Sequence, residues 1–358
     1  MYKLTDPLEQ TTDENNLNKY KAAGQIATKT VDEIVMNMKP GSKLLDLHLM
    51  GTQFITNECN KVYKDVKYKG VAFPVCLSVN NVAGHYIPKD ADIVNEGDLV
   101  KIELGVHIDG FPAFICFTTL VNNNSNGNKI NDKRANVMKA VIEASKEIYG
   151  VMKPGRINRE VVTILNKYAD KYECNLPTCN ERGFIPGVLS CEVSRYVCDG
   201  YDDDNDEFVH RFILNKENPN YSFTLRDIEL EEGEVYAVDI LMSTGACKLQ
   251  GTNEVDIFKR DYQMRQELKL KSSRETLALF NKEMFPICLR NREGKVKIGI
   301  KECIDKQLVK TYPVVRDKEG EFIARVKFTV IVQDQPILVC GKPGDGELAK
   351  LLAKLGKN

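Results

Sequence analysis

Apolar residues recur at helical spacing through residues 19–38 (KYKAAGQIATKTVDEIVMNM), which predicts an amphipathic helix. Pro40-Gly41 stops it, and a second helix is expected over about 43–61. Residues 71–80 (VAFPVCLSVN) and 98–106 (DLVKIELGV) read as strands. Asp109-Gly110 is a turn signal, after which FPAFICFTTLV returns as a strand. A polar connection, VNNNSNGNKIND, covers 121–132. A long helical pattern runs from about 134 to 149, and another follows Lys153-Pro154-Gly155 to about 170. Ladder-like patterns near 195–199 and 208–213 flank the acidic loop YDDDNDE. Residues 234–243 (EVYAVDILMS) are expected as a strand, 261–310 as a mixed helical region, and 311–340 as a hairpin turning at Glu319-Gly320. The polar stretch 1–18 is expected to fray. A short amphipathic helix at 346–356 carries Leu348, Leu351, Leu352 and Leu355 along one side.

An internal repeat organises these elements. YKAAGQIATKTVDEIVMNMKPG from Tyr20 and RANVMKAVIEASKEIYGVMKPG from Arg134 both end in Met-Lys-Pro-Gly, and each precedes another helix. EGDLVKIELG from Glu96 and EGEVYAVDIL from Glu232 open matching strands later in each half. The chain therefore reads as one domain of two related α/β halves, about 15–121 and 134–340, with a helical insertion over about 245–310. The repeat places Glu103 and Asp239 at equivalent positions, each an acid inside an apolar strand. A lone buried carboxylate is costly, so each needs a partner, a proton or a metal. Joined pseudosymmetrically, the halves would bring both acids to a central cleft, where they form either a two-metal site or an internally salt-bridged structural pair.

Composition narrows the choice of function. With 42% apolar and 28% charged residues, the 358-residue chain suits a folded globule rather than a disordered one. No membrane span is expected, and the polar N-terminus MYKLTDPLEQ is unlike a signal peptide. Fifty basic and 51 acidic side chains nearly cancel, which excludes coating of nucleic acid by bulk charge but not by a local basic face. The 11 cysteines are irregularly spaced and expected as free thiols; no C-x-x-C pair suggests a zinc site. Only His48, His85, His107 and His210 could serve chemistry that needs imidazole.

The blocks FPVCLSVNNVAGHYIP, EGDLVKIELGVHIDG, EEGEVYAVDILMSTG and EGEFIARVKFTV occur in this order and resemble type 2 methionine aminopeptidases. With IFKRDYQMRQELKLKSSR they are most similar to the proliferation-associated, receptor-binding relatives of those enzymes, over roughly residues 15 to 355. The resemblance implies a pita-bread fold: a pseudo-twofold α/β (α+β) core of curved antiparallel sheets covered by helices. The active enzymes hold two divalent ions with two Asp, one His and two Glu. By resemblance those positions fall here at Glu103, Phe114, Ser190 or Cys191, Asp239 and Lys327. A substrate-side histidine is retained at His85, and another cleft histidine is replaced by Cys198. Phe114 has no lone pair, and Lys327 brings an ammonium where a cation would sit, which predicts its pairing with Glu103 and Asp239. A degenerate cleft without metal or cofactor follows, and without an activated water peptide hydrolysis loses its nucleophile. The competing expectation is a methionine aminopeptidase with altered ligands.

Charge is unevenly spread. Asp256 to Lys310 carries 14 basic against 8 acidic residues, whereas Asp202 to Glu232 carries 10 acids against 3 bases. Lys259, Arg260, Arg265, Lys269, Lys271 and Arg274 are the candidate RNA-binding residues, with Arg290, Arg292, Lys295 and Lys297 nearby and KVYKDVKYK at 61–69 as a second strip. The alternative is an ordinary solvated surface. The resemblance implies ribosome or structured-RNA association, protein partners, a monomer, and cytoplasmic with some nuclear residence. Relatives end in a polybasic tail; this chain stops at GELAKLLAKLGKN, so tail-driven RNA affinity is not expected.

Overall fold

The structure, a computed structural model, describes residues 11–121, 132–177, 189–198, 212–216, 227–290 and 294–341. Helix α1 (Glu14–Asn37) starts where Asp13 accepts the Asn16 N–H at 3.0 Å, a side-chain N-cap. Its buried face is Tyr20, Ala23, Ala27, Val31 and Ile34, the three- and four-residue spacing of the pattern. α2 (Leu44–Lys61) follows, then strand β1 (Lys69–Val79) and a tight turn into β2 (Val82–Gly84). β3 (Leu99–Ile108) and β4 (Phe111–Leu120) form a hairpin turning at Asp109-Gly110, both with positive φ. The second half repeats the order: α3 (Lys133–Val151), α4 (Asn158–Lys171), short strands β5 (Ser190–Glu192) and β6 (Phe212–Ile213), then β7 (Val235–Ser243).

The remaining elements depart from expectation in two places. Residues 250–260, placed by the sequence reading in a helical insertion, form strand β8 (Gln250–Arg260). Among the described residues of this region helix is confined to α5 (Lys271–Ala278) and α6 (Gly294–Asp305), with the two-residue strand β9 (Ile287–Cys288) between them. The expected hairpin over 311–340 is not one ladder. β10 (Val309–Arg316) pairs with β2 and β8, whereas β11 (Ile323–Ile331) joins the other sheet. Gly320 turns between them with φ +84°, but the strands diverge into different layers. β12 (Ile337–Cys340) closes the described chain. Within the expected patterns near 195–199 and 208–213 the described residues show a Ser194–Val197 bridge and β6; 199 and 208–211 lie outside the described residues. The acidic loop at 201–207, His210 and the helix expected at 346–356 lie outside the described residues.

Two antiparallel sheets result. The larger runs β1-β3-β4-β11-β7-β5-β6, with β12 also on β11; the smaller runs β2-β10-β8-β9. The larger sheet thus contains the strands of both repeat halves, which meet at β4 and β11. That seam is unusual. Only Lys327 and Cys116 pair directly across it. On one side of this pair the Thr118 hydroxyl accepts the Arg325 N–H at 2.8 Å and donates to its carbonyl at 2.6 Å. On the other side the Thr329 hydroxyl accepts the Phe114 N–H at 2.8 Å and donates to its carbonyl at 2.9 Å. Two threonine side chains therefore stand in for ladder bonds, one from each half, related by the pseudo-twofold through Cys116 and Lys327. Helices α1 to α4 cover the sheet, and α1 approaches so closely that a Cβ at Gly24 would lie 2.0 Å from the Val339 carbonyl. A separate small core of Phe258, Phe280, Leu289, Cys303, Leu308 and Val309 lies under α5 and α6.

Candidate functional site

Cross-strand pairing aligns Cys76, Glu103, Cys116, Lys327 and Asp239 in one row across β1, β3, β4, β11 and β7. Arg325 stands two residues from Lys327 and so projects from the same face of β11. Its neighbours Ala324, Val326 and Phe328 point into the core on the opposite face. The sequence predicts a meeting of Glu103, Asp239 and Lys327; Arg325, at their centre, was not anticipated. Its guanidinium grips Asp239 through Nε to Oδ1 at 2.7 Å and Nη2 to Oδ2 at 2.5 Å. It grips Glu103 through Nη1 to Oε2 at 2.9 Å and Nη2 to Oε1 at 2.8 Å. Nη1 also reaches the Ala83 carbonyl at 3.3 Å. Lys327 Nζ lies 2.9 Å from Glu103 Oε1 and 2.9 Å from Asp239 Oδ2. Two cations and two anions thus form a closed, electrically balanced cross. Gly84 makes room for it, since a Cβ there would sit 2.4 Å from Arg325 Nη1.

Burial alone would raise the Glu103 carboxyl, but the Arg325 charge, then that of Lys327, outweighs it and holds the group well below the usual carboxylate range. Burial opposes the charge on Arg325 and Lys327 too, yet Asp239 and then Glu103 raise both above their ordinary values. Glu103, Arg325 and Lys327 are therefore held charged inside the cross. A second buried amine behaves differently. Lys101, two residues before Glu103, donates to the Asn80 carbonyl, and burial pushes it down to about 7.

The other sequence-predicted site residues have specific placements. Phe114 is buried in β4, its ring packed over Gly105, where a Cβ would lie 2.6 Å from it. Ser190 Oγ accepts the Asp239 N–H at 2.8 Å, and Cys191 Sγ donates to the Cys198 carbonyl at 3.7 Å. His85 adopts φ +62° and is fully buried. Its Nδ1 donates to the Pro313 carbonyl at 3.0 Å, which leaves Nε2 without a partner. One ring nitrogen is thus satisfied and the other is not. Burial lowers its pKa, so the ring is neutral. The ten described cysteines are free thiols.

These residues do not fit a pair of divalent ions. The space between the two carboxylates holds a guanidinium and an ammonium, and every Glu103 and Asp239 side-chain oxygen already accepts from one of them. Ser190 directs its lone pair at a backbone amide, and Phe114 has none to offer.

The same strand framework occurs in solved structures. A thermophilic Arx1 superposes with a TM-score of 0.79 at 22% identity, covering 95% of this chain and 98% of that one. A methionine aminopeptidase from Thermotoga maritima superposes at 0.56, with 14% identity, covering 96% and 100%. In sequence, residues 18–257 match the model of metallopeptidase family M24. The chain belongs to that family. Its fold is the family's pita-bread arrangement of antiparallel sheets and helices. Among its relatives, ErbB-3 binding protein 1 of Arabidopsis thaliana is 32% identical over 88% of this chain and 77% of its own length. Proliferation-associated protein A of Dictyostelium discoideum is likewise 32% identical, over 88% and 79%. The curved DNA-binding protein of Schizosaccharomyces pombe is 31% identical over 94% and 84%.

Away from the cleft, the candidate RNA-binding residues divide. Arg260 donates to the Leu308 and Met264 carbonyls, and Arg274 to those of Leu268 and Lys269. Lys259 is half-buried in β8. Arg265, Lys269 and Lys271 are exposed, Lys271 lying 3.8 Å from Glu275. Arg290 is tied to Asp256 at 2.6 Å, and Arg292 and the Lys295 side chain lie outside the described residues. No described helix is long and apolar enough to cross a membrane.

Proposed function

We propose that this chain is a non-catalytic binding protein on a methionine aminopeptidase fold, a monomer that associates with ribosomes or structured RNA and with protein partners in growth or translation control, in the cytoplasm with a share in the nucleus. The observation that carries the non-catalytic part is the ionic cross. Arg325 and Lys327 neutralise the two carboxylates that two metal ions would otherwise bridge. An M24 hydrolase needs those ions to lower the pKa of a water and to polarise the scissile carbonyl. Here the positive charge is covalently attached and cannot bind water as a nucleophile. Relatives named for binding ErbB-3 and curved DNA support a role in recognition. The excess of basic residues between Asp256 and Lys310 supports a polyanionic surface such as ribosomal RNA among the partners.

The test is metal analysis of protein prepared with excess cobalt or manganese, run beside cleavage of Met-peptides. The expected result is no stoichiometric metal and no turnover. Two bound ions with chelator-sensitive cleavage would overturn the proposal in favour of an aminopeptidase with altered ligands. Ribosome and structured-RNA association is tested by sedimentation at several salt concentrations, and co-sedimentation that shows no salt dependence would reject the electrostatic surface.

A further inference from the structure

The module built by β8, α5, α6 and β10 has its own small core, and its outer face is not the polar surface that a helix needs only for solubility. Helix α6 turns Gly299 and Cys303 inward, toward α5. The approach at Gly299 is close: a Cβ there would lie 2.4 Å from the Ser272 carbonyl. One turn along, the Glu302 carboxylate accepts the N–H groups of Lys269 and Leu270 at 2.7 and 3.1 Å, and so caps the start of α5. These two contacts fix residues 269–272 against residues 298–302 of α6. Leu270 and Ile298 are thereby brought to the same flank of the helix pair, and both are open to solvent, Leu270 at 48% and Ile298 at 63% exposure. Ile304, 37% exposed, lies on the far margin of α6. Of eight exposed large hydrophobics among the described residues, four fall between Tyr262 and Ile304.

The rim of this flank is basic. Lys269, Lys271, Lys297 and Lys301 are all exposed. Lys297 and Lys301 make no ion pair with a described residue, and Lys271 has only the loose contact with Glu275. Asp305 is the exposed acid on the same face of α6. Glu302, although nearby, has its carboxylate committed to the α5 amides.

We infer that the Leu270–Ile298 flank is a docking surface for an acidic amphipathic segment of a partner protein. The inference rests on the reading of the chain as a binding protein and gives one of its protein partners a chemistry. Aliphatic side chains decide the class of ligand. Unstacked RNA bases are held chiefly by aromatic planes and guanidinium groups and phosphates by cations, so an exposed leucine and isoleucine favour a protein ligand. A helix with an apolar stripe uses both, setting its stripe on the aliphatic pair while acids along its margin meet the four lysines. Such a partner is attracted from a distance by the lysines and retained by the buried apolar contact, so the two sets of residues control different quantities.

The experiment uses the full chain and a fluorescein-labelled synthetic helix with a leucine face and a glutamate-rich margin, read by fluorescence anisotropy. A structured RNA hairpin serves as the second probe. Leu270→Ser with Ile298→Ser, which removes the apolar contact and leaves the charge of the flank as it is, is expected to weaken peptide binding by about tenfold or more while leaving RNA binding and the melting curve unchanged. Lys297→Gln with Lys301→Gln is expected to weaken it less and to flatten its salt dependence. Peptide affinity unchanged in the Leu270/Ile298 variant would overturn the inference. Loss of RNA binding instead of peptide binding in that variant would also overturn it, by making the flank a nucleic-acid surface, while leaving the wider binding-protein reading intact. A failure of that wider reading would appear separately, as metal-dependent peptidase turnover.

Discussion

At the scale of single residues, Arg325 is the group on which the cleft depends. Its guanidinium is fully buried and bonded to both carboxylates. A buried ion pair gains little over a well-packed apolar substitute, but removing one partner strands the others in a medium that solvates charge poorly. Arg325→Met is therefore expected to cost about 3–5 kcal/mol in urea unfolding. Replacing all four groups, with Glu103→Gln, Asp239→Asn and Lys327→Met added, is expected to recover part of that loss; a further loss in the quadruple variant would show that the charges are not a unit. The cross also sets an acid limit. Glu103 has a depressed folded-state pKa, so its contribution is complete above the unfolded carboxylate value of about 4.3 and is lost as pH falls toward the folded value. The urea midpoint is expected to hold from neutral pH to about 5 and to fall below about 4, and the fall is expected to be shallower in Glu103→Gln. A midpoint equally steep in acid for that variant would remove Glu103 from the explanation. The sequence signal for Arg325 was present in the alternation of IARVKFTVI, where Arg325, Lys327 and Thr329 share one face. Comparison with metal-ligand positions drew attention to Lys327 alone. That Arg325 reaches both acids depends on the register of three other strands, which no local pattern encodes.

At the scale of elements, the strands with strong apolar patterns were legible and those in the smaller sheet were not. β1, β3, β4 and β7 carry continuous apolar runs and were placed within a few residues. β8 reads QGTNEVDIFKR, with polar side chains on both sides, because much of it is half-exposed. It is a strand because β10 and β9 supply partners far away in sequence. β10 and β11 looked like a hairpin because a turn does lie between them; two strands joined by a turn need not pair when each has a better neighbour. The seam between β4 and β11 makes a claim at this scale. Thr118 and Thr329 each satisfy one backbone N–H and one backbone carbonyl of the opposite strand. Valine has nearly the same shape but neither donates nor accepts, so at 118 it leaves the Arg325 N–H and carbonyl without the hydroxyl, and at 329 it leaves the Phe114 N–H unpaired while the Phe114 carbonyl keeps the Cys340 thiol at 3.1 Å. Each Thr→Val change is expected to cost about 1–3 kcal/mol. Because the two sites flank the same Lys327–Cys116 pair, the double variant is expected to deviate from additivity. Unfolding by urea checks both, and a loss near zero at either site would show that water or a strand shift replaces the hydroxyl.

For the whole molecule, the charge asymmetry read from the sequence becomes meaningful only when each basic residue is assigned a task. Six residues between Lys259 and Arg274 looked alike as a linear strip. In three dimensions Arg260 and Arg274 direct their guanidinium groups at backbone carbonyls and hold the module together, whereas Arg265, Lys269 and Lys271 face outward. On the proposed reading the first pair serves stability and the second group recognition of polyanions, so the two sets should separate experimentally. Arg265→Gln with Lys269→Gln and Lys271→Gln is expected to leave the melting curve in place and weaken ribosome or RNA-hairpin binding. Neutralising up to three phosphate contacts lowers the slope of log affinity against log salt by up to about 2–3. Arg260→Gln is expected to do the reverse, lowering stability by about 1–3 kcal/mol through loss of its charged hydrogen bonds to the Leu308 and Met264 carbonyls while barely changing the salt slope. Sedimentation across a salt series, paired with thermal unfolding of the same preparations, measures both quantities. If Arg260→Gln and the triple variant shift the same one, the division of this surface into a structural and a recognising set is wrong. The polyanion site would then have to lie elsewhere, with the strip at 61–69 the next surface to neutralise.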